Sequence, residues 1–301
     1  METMSAPKTT PGWRVWLMAA RPATLPASIV PVLVGSAIGA SDGAFSLLPF
    51  VGALTAAVLI QIGANLANDL FDFEKGADTS QRLGPPRVTQ SGLASPQQVR
   101  RAMTLSFGAA VAIGLYLIAV GGWPILVIGV LCITAGIAYT GGPWPLGYHG
   151  LGDLFVFLFF GLVAVLGSTY LQTGALSPTA FAAALPVGCT VTAILVVNNL
   201  RDIETDRQAG KRTLAVRLGA PLTRGQYALL VLLPYGLVSG FAAWGVFPPA
   251  CWLAWLTLPL AVSLLRTVLR GTQGQALNAV LKGTGQLHLF FGSVLASGFL
   301  W

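Results

Sequence analysis

Two short segments carry most of the side chains able to do chemistry. The first runs Asn65-Leu-Ala-Asn68-Asp69-Leu-Phe-Asp72, the second Asn198-Asn-Leu-Arg201-Asp202-Ile-Glu-Thr-Asp206. On a helix, Asn65, Asn68, Asp69 and Asp72 fall at i, i+3, i+4 and i+7, which is one face. Asn198, Asp202 and Asp206 are spaced by four and share a face in the same way. Carboxylate and amide oxygens are hard ligands that suit Mg²⁺. That ion takes one or two carboxylates and completes its shell with water and substrate phosphate. Two such faces can grip a diphosphate between them through metal ions. One cluster alone would read equally well as caps and solvated loop residues. Two clusters of the same spacing, each with a basic stretch behind it, favour the site.

The basic stretches fit the same chemistry. Lys75, Arg82 and Arg87 follow the first cluster. Arg201 lies within the second, and Lys211, Arg212 and Arg217 follow it. Guanidinium and ammonium groups hold phosphate oxygens and stabilise a leaving diphosphate. Arg100, Arg101, Arg224, Arg266 and Arg270 need no such role. Between the clusters lies a loop with Gly141, Gly142, Pro143, Pro145 and Gly147 beside Tyr139, Trp144, Tyr148 and His149. Stiff at its prolines and permissive at its glycines, it suits the mouth of a site. Asp153 just after it is either a helix N-terminal charge or a site residue. His288 reads as a buried hydrogen-bonding residue. Cys132, Cys189 and Cys251 each sit in an apolar run and read as small hydrophobes.

The elements that position these residues must lie in a membrane. Of 301 residues, 9% are charged and 54% hydrophobic, against roughly a quarter charged in soluble domains. No Asp, Glu, Lys or Arg occurs from Ala102 to Gly152 or from Leu154 to Leu200. A nucleic-acid reader would not hide a net charge of +7 in this way. The reading is all-α and integral to the membrane. Nine windows are long and apolar enough to span: 22–40, 46–68, 99–120, 123–140, 152–172, 178–200, 225–246, 248–266 and 282–301. With the N-terminus cytoplasmic, all 17 Lys and Arg fall on the inner side, as the positive-inside rule requires. Residues 1–20 form a cytoplasmic arm, and the rest is one membrane-embedded domain. Both acidic clusters then hang at the cytoplasmic face of a plasma-membrane protein. Nothing in the sequence sets an oligomeric state.

The paired segments resemble the two aspartate-rich motifs of the UbiA superfamily of intramembrane prenyltransferases. Within it, the chain is most similar to the branch that prenylates 1,4-dihydroxy-2-naphthoate, the MenA branch. The likeness extends through Gly76, Asp78, Arg82 and Gly84-Pro85, through Tyr139 to Tyr148 and Gly150-Leu-Gly-Asp153, and through Gly210-Lys211 to Gly219. Gly76 stands where the superfamily often has a third acid, an arrangement the branch shares. The resemblance implies a nine-helix bundle around a central cavity. It implies Mg²⁺ held by Asn68, Asp72, Asn198, Asp202 and Asp206, with Asp69, Asp72, Asp202 and Asp206 as catalytic acids. Lys75, Arg82, Arg87, Arg201 and Lys211 would hold the diphosphate. Asn65, Tyr139 and Tyr148 would line the cavity for prenyl chain or ring. The substrates implied are a polyprenyl diphosphate and an aromatic acid, met within membrane lipid, with no nucleic acid.

Overall fold

A computed structural model describes residues 12–78 and 82–301. Every regular element there is helical, in chain order α1 (Gly12–Ala20), α2 (Pro26–Ser41), α3 (Leu47–Glu74), α4 (Pro96–Gly121), α5 (Trp123–Ala138), α6 (Gly152–Thr173), α7 (Pro178–Arg201), α8 (Ile203–Gln208), α9 (Leu214–Ala243), α10 (Pro249–Leu269) and α11 (Leu277–Phe299). All-helical structure follows from the apolar runs, since a helix satisfies its own backbone groups in lipid. Among the described residues six helices are long and apolar enough to cross a membrane, or seven if α1 and α2, bent by 53°, count as one broken span. Each of the nine windows expected from sequence lies on a helix. α5 is short, and α11 carries Lys282, Gln286 and His288 among its apolar residues.

Local chemistry sets the ends. Ser95 caps α4: its hydroxyl accepts from Gln98 N–H at 3.3 Å, while the Gln98 side chain accepts from Ser95 N–H at 2.8 Å. That reciprocal pair satisfies two orphan donors at once. α9 starts at Leu214 rather than near 225, because Thr213 caps it through Val216 N–H at 3.3 Å. Its first turns are set off by Gly219, where φ is +74°. α6 holds a π-helical segment at Phe157–Val163, and α10 opens as a 3₁₀ stretch at Pro249–Thr257. Of the arm expected at 1–20, residues 1–11 lie outside the described residues. Gly12–Ala20 is helical, with Val15 and Ala19 buried and Trp13, Trp16 and Leu17 exposed.

α7 is the central helix, with 83% of its apolar window buried, while the other five spanning helices keep a third or less. The largest core packs α7 with α2, α9, α10 and α11 through residues such as Val187, Tyr227, Leu265 and Phe291. A second core ties α1, α3 and α4 through Leu66, Leu70, Val88 and Phe107. Small residues let α6 and α7 meet: a Cβ on Gly161 would stand 2.6 Å from the Gly188 Cα. Backbone approach of this kind substitutes for the hydrophobic drive that lipid does not supply. The consequence for function is that the segment after α7 reaches the end of α3, Lys211 standing 3.0 Å from Asp72.

Candidate active site

The two segments, more than a hundred residues apart in the chain, converge. Asp78 and Arg82 from the stretch after α3 border one small cavity with Asp202, Thr205, Asp206 and Lys211. Asp72, only 1% exposed, is held from both sides. Arg87 Nη2 donates to its Oδ2 at 2.7 Å. Tyr148 Oη donates to its Oδ1 at 2.7 Å, and Lys211 Nζ stands 3.0 Å from the same oxygen. Arg87 also pairs with Asp78 through Nε at 3.0 Å and donates to the Asn68 carbonyl. Arg82 Nη1 donates to Asp78 at 2.7 Å and its Nε to Pro85 O at 3.0 Å.

On α7, Arg201 spans Asp202 with two bonds, of 2.7 and 2.5 Å. It also donates to the side-chain oxygens of Asn198 at 2.9 Å and Asn278 at 2.7 Å. Asn278 on α11 then donates to Leu83 O at 2.9 Å. The stretch around residue 83 is thereby pulled down onto Arg201. A Cβ on Gly84 would lie 2.8 Å from the Arg201 Nη2, so the backbone there runs against the guanidinium.

The ammonium groups of Lys75 and Lys211 lie over the Tyr148 ring at 5.1 and 4.8 Å, within cation–π range. Lys75 also donates to Thr140 O at 2.6 Å, which ties the end of α3 to the loop after α5. Burial, and then the Asp72 carboxylate, hold the Tyr148 phenol far above its ordinary value, so it stays a donor. Burial pushes the Asp206 carboxyl up to about 7, with Lys211 opposing. Among the described residues no side chain donates a hydrogen bond to Asp206.

Several expectations take a different form. Asp69 was expected among the catalytic acids. Its two oxygens instead accept the backbone N–H groups of Val88 and Thr89, both at 3.0 Å. A carboxylate so engaged anchors the loop that carries Arg87. The Asn65 amide donates to Ala20 O at 3.0 Å and Thr24 Oγ1 at 3.1 Å, which fixes the turn between α1 and α2. Asn68 Oδ1 accepts from Thr140 at 2.9 Å. His149 donates through Nδ1 to Pro145 O at 2.8 Å and stacks on Trp144. The Arg217 guanidinium donates to His149 O at 2.9 Å and steadies the same loop. His288 is buried as expected, its Nδ1 2.8 Å from Thr190 Oγ1.

Sequence reasoning missed Arg21 and Asn278. Arg21 sits in the turn that Asn65 fixes. It is the sole non-glycine residue among those described with positive φ, at +51°. Its Nη2 is buried without a partner, in the combined field of Arg87, Arg82, Asp69 and Asp72. A left-handed arginine is costly, and a buried donor left open more so. Arg21 had been absorbed into the inward bias of positive charge.

The residues fit a Mg²⁺–diphosphate group. Among the described residues no three of His, Cys, Asp and Glu stand close enough to cage a metal alone. Mg²⁺ does not need a cage, because phosphate and water complete its shell. The cavity of about 20 Å³ beside Asp202 and Asp206 has room for one small ion or water. Asp206 presents an oxygen pair there with no competing bond.

The sequence pattern of the UbiA prenyltransferase family matches residues 28–292. The chain is 39% identical over 283 residues to the 1,4-dihydroxy-2-naphthoate octaprenyltransferase of Escherichia coli (strain K12), covering 90% of each chain. It is 38% identical over 283 residues to the protein of the same name from Mycobacterium tuberculosis, covering 93% of this chain and 95% of that one. It is 32% identical over 301 residues to the one from Bacillus subtilis, covering 99% and 96%. In fold it is similar to the apo structure of a UbiA homologue from Aeropyrum pernix K1, with TM-score 0.70, 17% identity and coverage of 90% and 96%. A homologue from Archaeoglobus fulgidus bound to GPP and Mg²⁺ aligns with TM-score 0.63 and 15% identity, covering 95% and 99%.

Proposed function

The chain belongs to the UbiA prenyltransferase family, and from that premise we propose how its site works. It transfers a polyprenyl group from the diphosphate to 1,4-dihydroxy-2-naphthoate. Loss of the ring carboxylate as CO₂ then gives the prenylated hydroquinone, the reduced form of demethylmenaquinone, in menaquinone biosynthesis. Acceptor and pathway rest on relatives that match over nine-tenths of their length. The structural observation that supports the reading is the convergence of Asp78 with Asp202, Asp206 and Lys211 around one cavity, with Lys211 reaching on to Asp72.

Asn68, Asp72, Asn198, Asp202 and Asp206 are the residues that would hold Mg²⁺, which when bound neutralises charge building on the diphosphate. Arg87 and Lys211 now pair with Asp72, and Arg201 with Asp202. These cations are the groups best placed to turn towards phosphate oxygens, joined by Arg82, Lys75 and Arg21. Tyr148 keeps its proton and orients Asp72. The aromatic face of Tyr139 stabilises the allylic cation, and an apolar surround for the prenyl chain would keep water from capturing it. The topology that goes with this has nine spans, a cytoplasmic N-terminus and the site at the inner face. It draws support from the concentration of Lys and Arg in the segments after α3, α7 and α10.

The test is a prenyl-transfer assay on purified protein in lipid. It supplies a polyprenyl diphosphate and a panel of aromatic acids, with and without Mg²⁺, beside Asp72→Ala and Asp202→Ala. Metal-dependent product from dihydroxynaphthoate, lost in both variants, is expected. Product from another ring alone would move the acceptor. No transfer by folded protein would overturn the reading.

A further inference from the structure

One acid of this chain stands apart from the diphosphate cluster. Asp153 opens α6, directly after the loop of Tyr139 to Tyr148, and is 8% exposed. Its Oδ2 accepts from Gln226 Nε2 of α9 at 2.7 Å. Its Oδ1 and the Gln226 Oε1 are both buried without a hydrogen-bond partner. Two shielded acceptor oxygens on side chains bonded to each other call for donors between them. No Lys or Arg among the described residues pairs with Asp153, whereas Asp72, Asp78 and Asp202 are each paired with cations. The donors it awaits are therefore not those of the diphosphate cluster.

Tyr139 connects the two places. Its phenol oxygen is 2.8 Å from where a Cβ on Gly152 would stand, next to Asp153. The same phenol lies in the field of Asp153 as well as of Asp206 and Asp72. A flat molecule against Tyr139 would thus reach both the metal-ligating acids and the open oxygens. Beyond Asp153 the helix relaxes into the π-helical segment Phe157–Val163, a distortion that recurs at functional sites.

Resting on the proposed reaction, we infer that Asp153 and Gln226 bind the acceptor ring and that Asp153 is its general base. Asp153 Oδ1 takes the proton of the hydroxyl ortho to the carboxylate-bearing carbon. The oxygen's electron pair moves into the ring, and that carbon bonds to the allylic carbon as the C–O bond to diphosphate breaks. The diphosphate leaves with that bond's electron pair. The bond from the ring to the carboxylate then breaks, its electrons restore the aromatic ring, and CO₂ departs. The proton returns from Asp153 to the ring oxygen. Gln226 holds Asp153 in place and accepts from the substrate through Oε1.

The test uses the full-length protein in lipid with dihydroxynaphthoate, its 1-methoxy analogue as inhibitor, and a polyprenyl diphosphate. Asp153→Asn should lower kcat on the order of 100-fold, the usual range for removing a general base. It should raise the acceptor KM about tenfold, as losing a hydrogen bond to a charged group does, and leave the KM for prenyl diphosphate unchanged. Wild type should bind the methoxy analogue about tenfold more weakly than the hydroxyl compound, on the same ground. The variant should not distinguish them. If Asp153→Asn does not fold, Gln226→Met must show the rise in acceptor KM alone. Rates within twofold of wild type would mean that a fixed water serves these oxygens, and would overturn the inference. So would a rise confined to the KM for prenyl diphosphate. Wild type inactive on dihydroxynaphthoate would instead count against the reaction itself.

Discussion

Arg87 shows how much of this site rests on single side chains. It is 7% exposed and joins Asp72, Asp78 and the Asn68 carbonyl. Removing one partner of a buried ion pair leaves an uncompensated charge and costs roughly 3–5 kcal/mol. Arg87→Ala should lower the melting temperature in detergent and abolish transfer. Arg87→Lys should recover little, because one ammonium cannot reproduce the fork. Asp206 makes the opposite prediction. Burial raises its carboxyl from 3.8 to about 7, so the metal-free folded chain binds that proton more tightly than the unfolded chain does. Between those values the folded state carries the extra proton, and stability falls as pH rises. Asp206→Asn should therefore melt higher than wild type above pH 7 without Mg²⁺, and lose transfer activity. Equal melting curves for the two at high pH would refute this. The types and spacing of the acids were legible in the sequence. The part played by Asp69 was not, because helical periodicity gives a face but not the loop that returns onto it. Arg21 was hidden for another reason: the inward bias of charge already accounted for every basic residue.

At the scale of elements, hydrophobic runs located the helices but not their distortions. The reading of 225–246 began late because Arg217 and Arg224 interrupt the apolar run, while Thr213 and helical backbone do not register in hydropathy. The π segment of α6 is apolar throughout, so hydropathy does not set it apart from the helix around it. What positions the second acidic segment is the contact of α6 with α7. Gly161 meets Gly188 there, and a Cβ on Gly188 would stand 2.8 Å from the Phe157 ring. Gly161→Leu should force the helices apart at a cost of about 1–3 kcal/mol, and reduce transfer by displacing Asn198 and Asp202. Gly108→Leu is the control, since nothing lies within 4 Å of its Cβ position. Similar melting temperatures for both variants would show that close approach is not what fixes α7.

For the whole molecule, the proposed orientation of the bundle rests on charge. The two polar segments that build the site also carry Lys75, Arg82, Arg87, Arg201, Lys211, Arg212 and Arg217. An excess of Lys and Arg in short loops holds those loops in the cytoplasm. On the proposed topology the same cations orient the protein and serve a diphosphate at the inner face. The loop between α2 and α3 bears Asp42 and no cation, and the proposed topology puts it outside. Asp42 and Gln208 are both exposed, while Cys189 and Cys251 are buried and Cys132 is half-buried, so background labelling of the native thiols will be low. A membrane-impermeant maleimide should label Asp42→Cys in whole cells, and Gln208→Cys only in inverted vesicles. Labelling of Gln208→Cys from outside would put the acidic segments on the wrong face for a cytoplasmic diphosphate. Labelling of both from one side would mean an even number of crossings between α2 and α8. The nine-span topology requires five there, through α3 to α7.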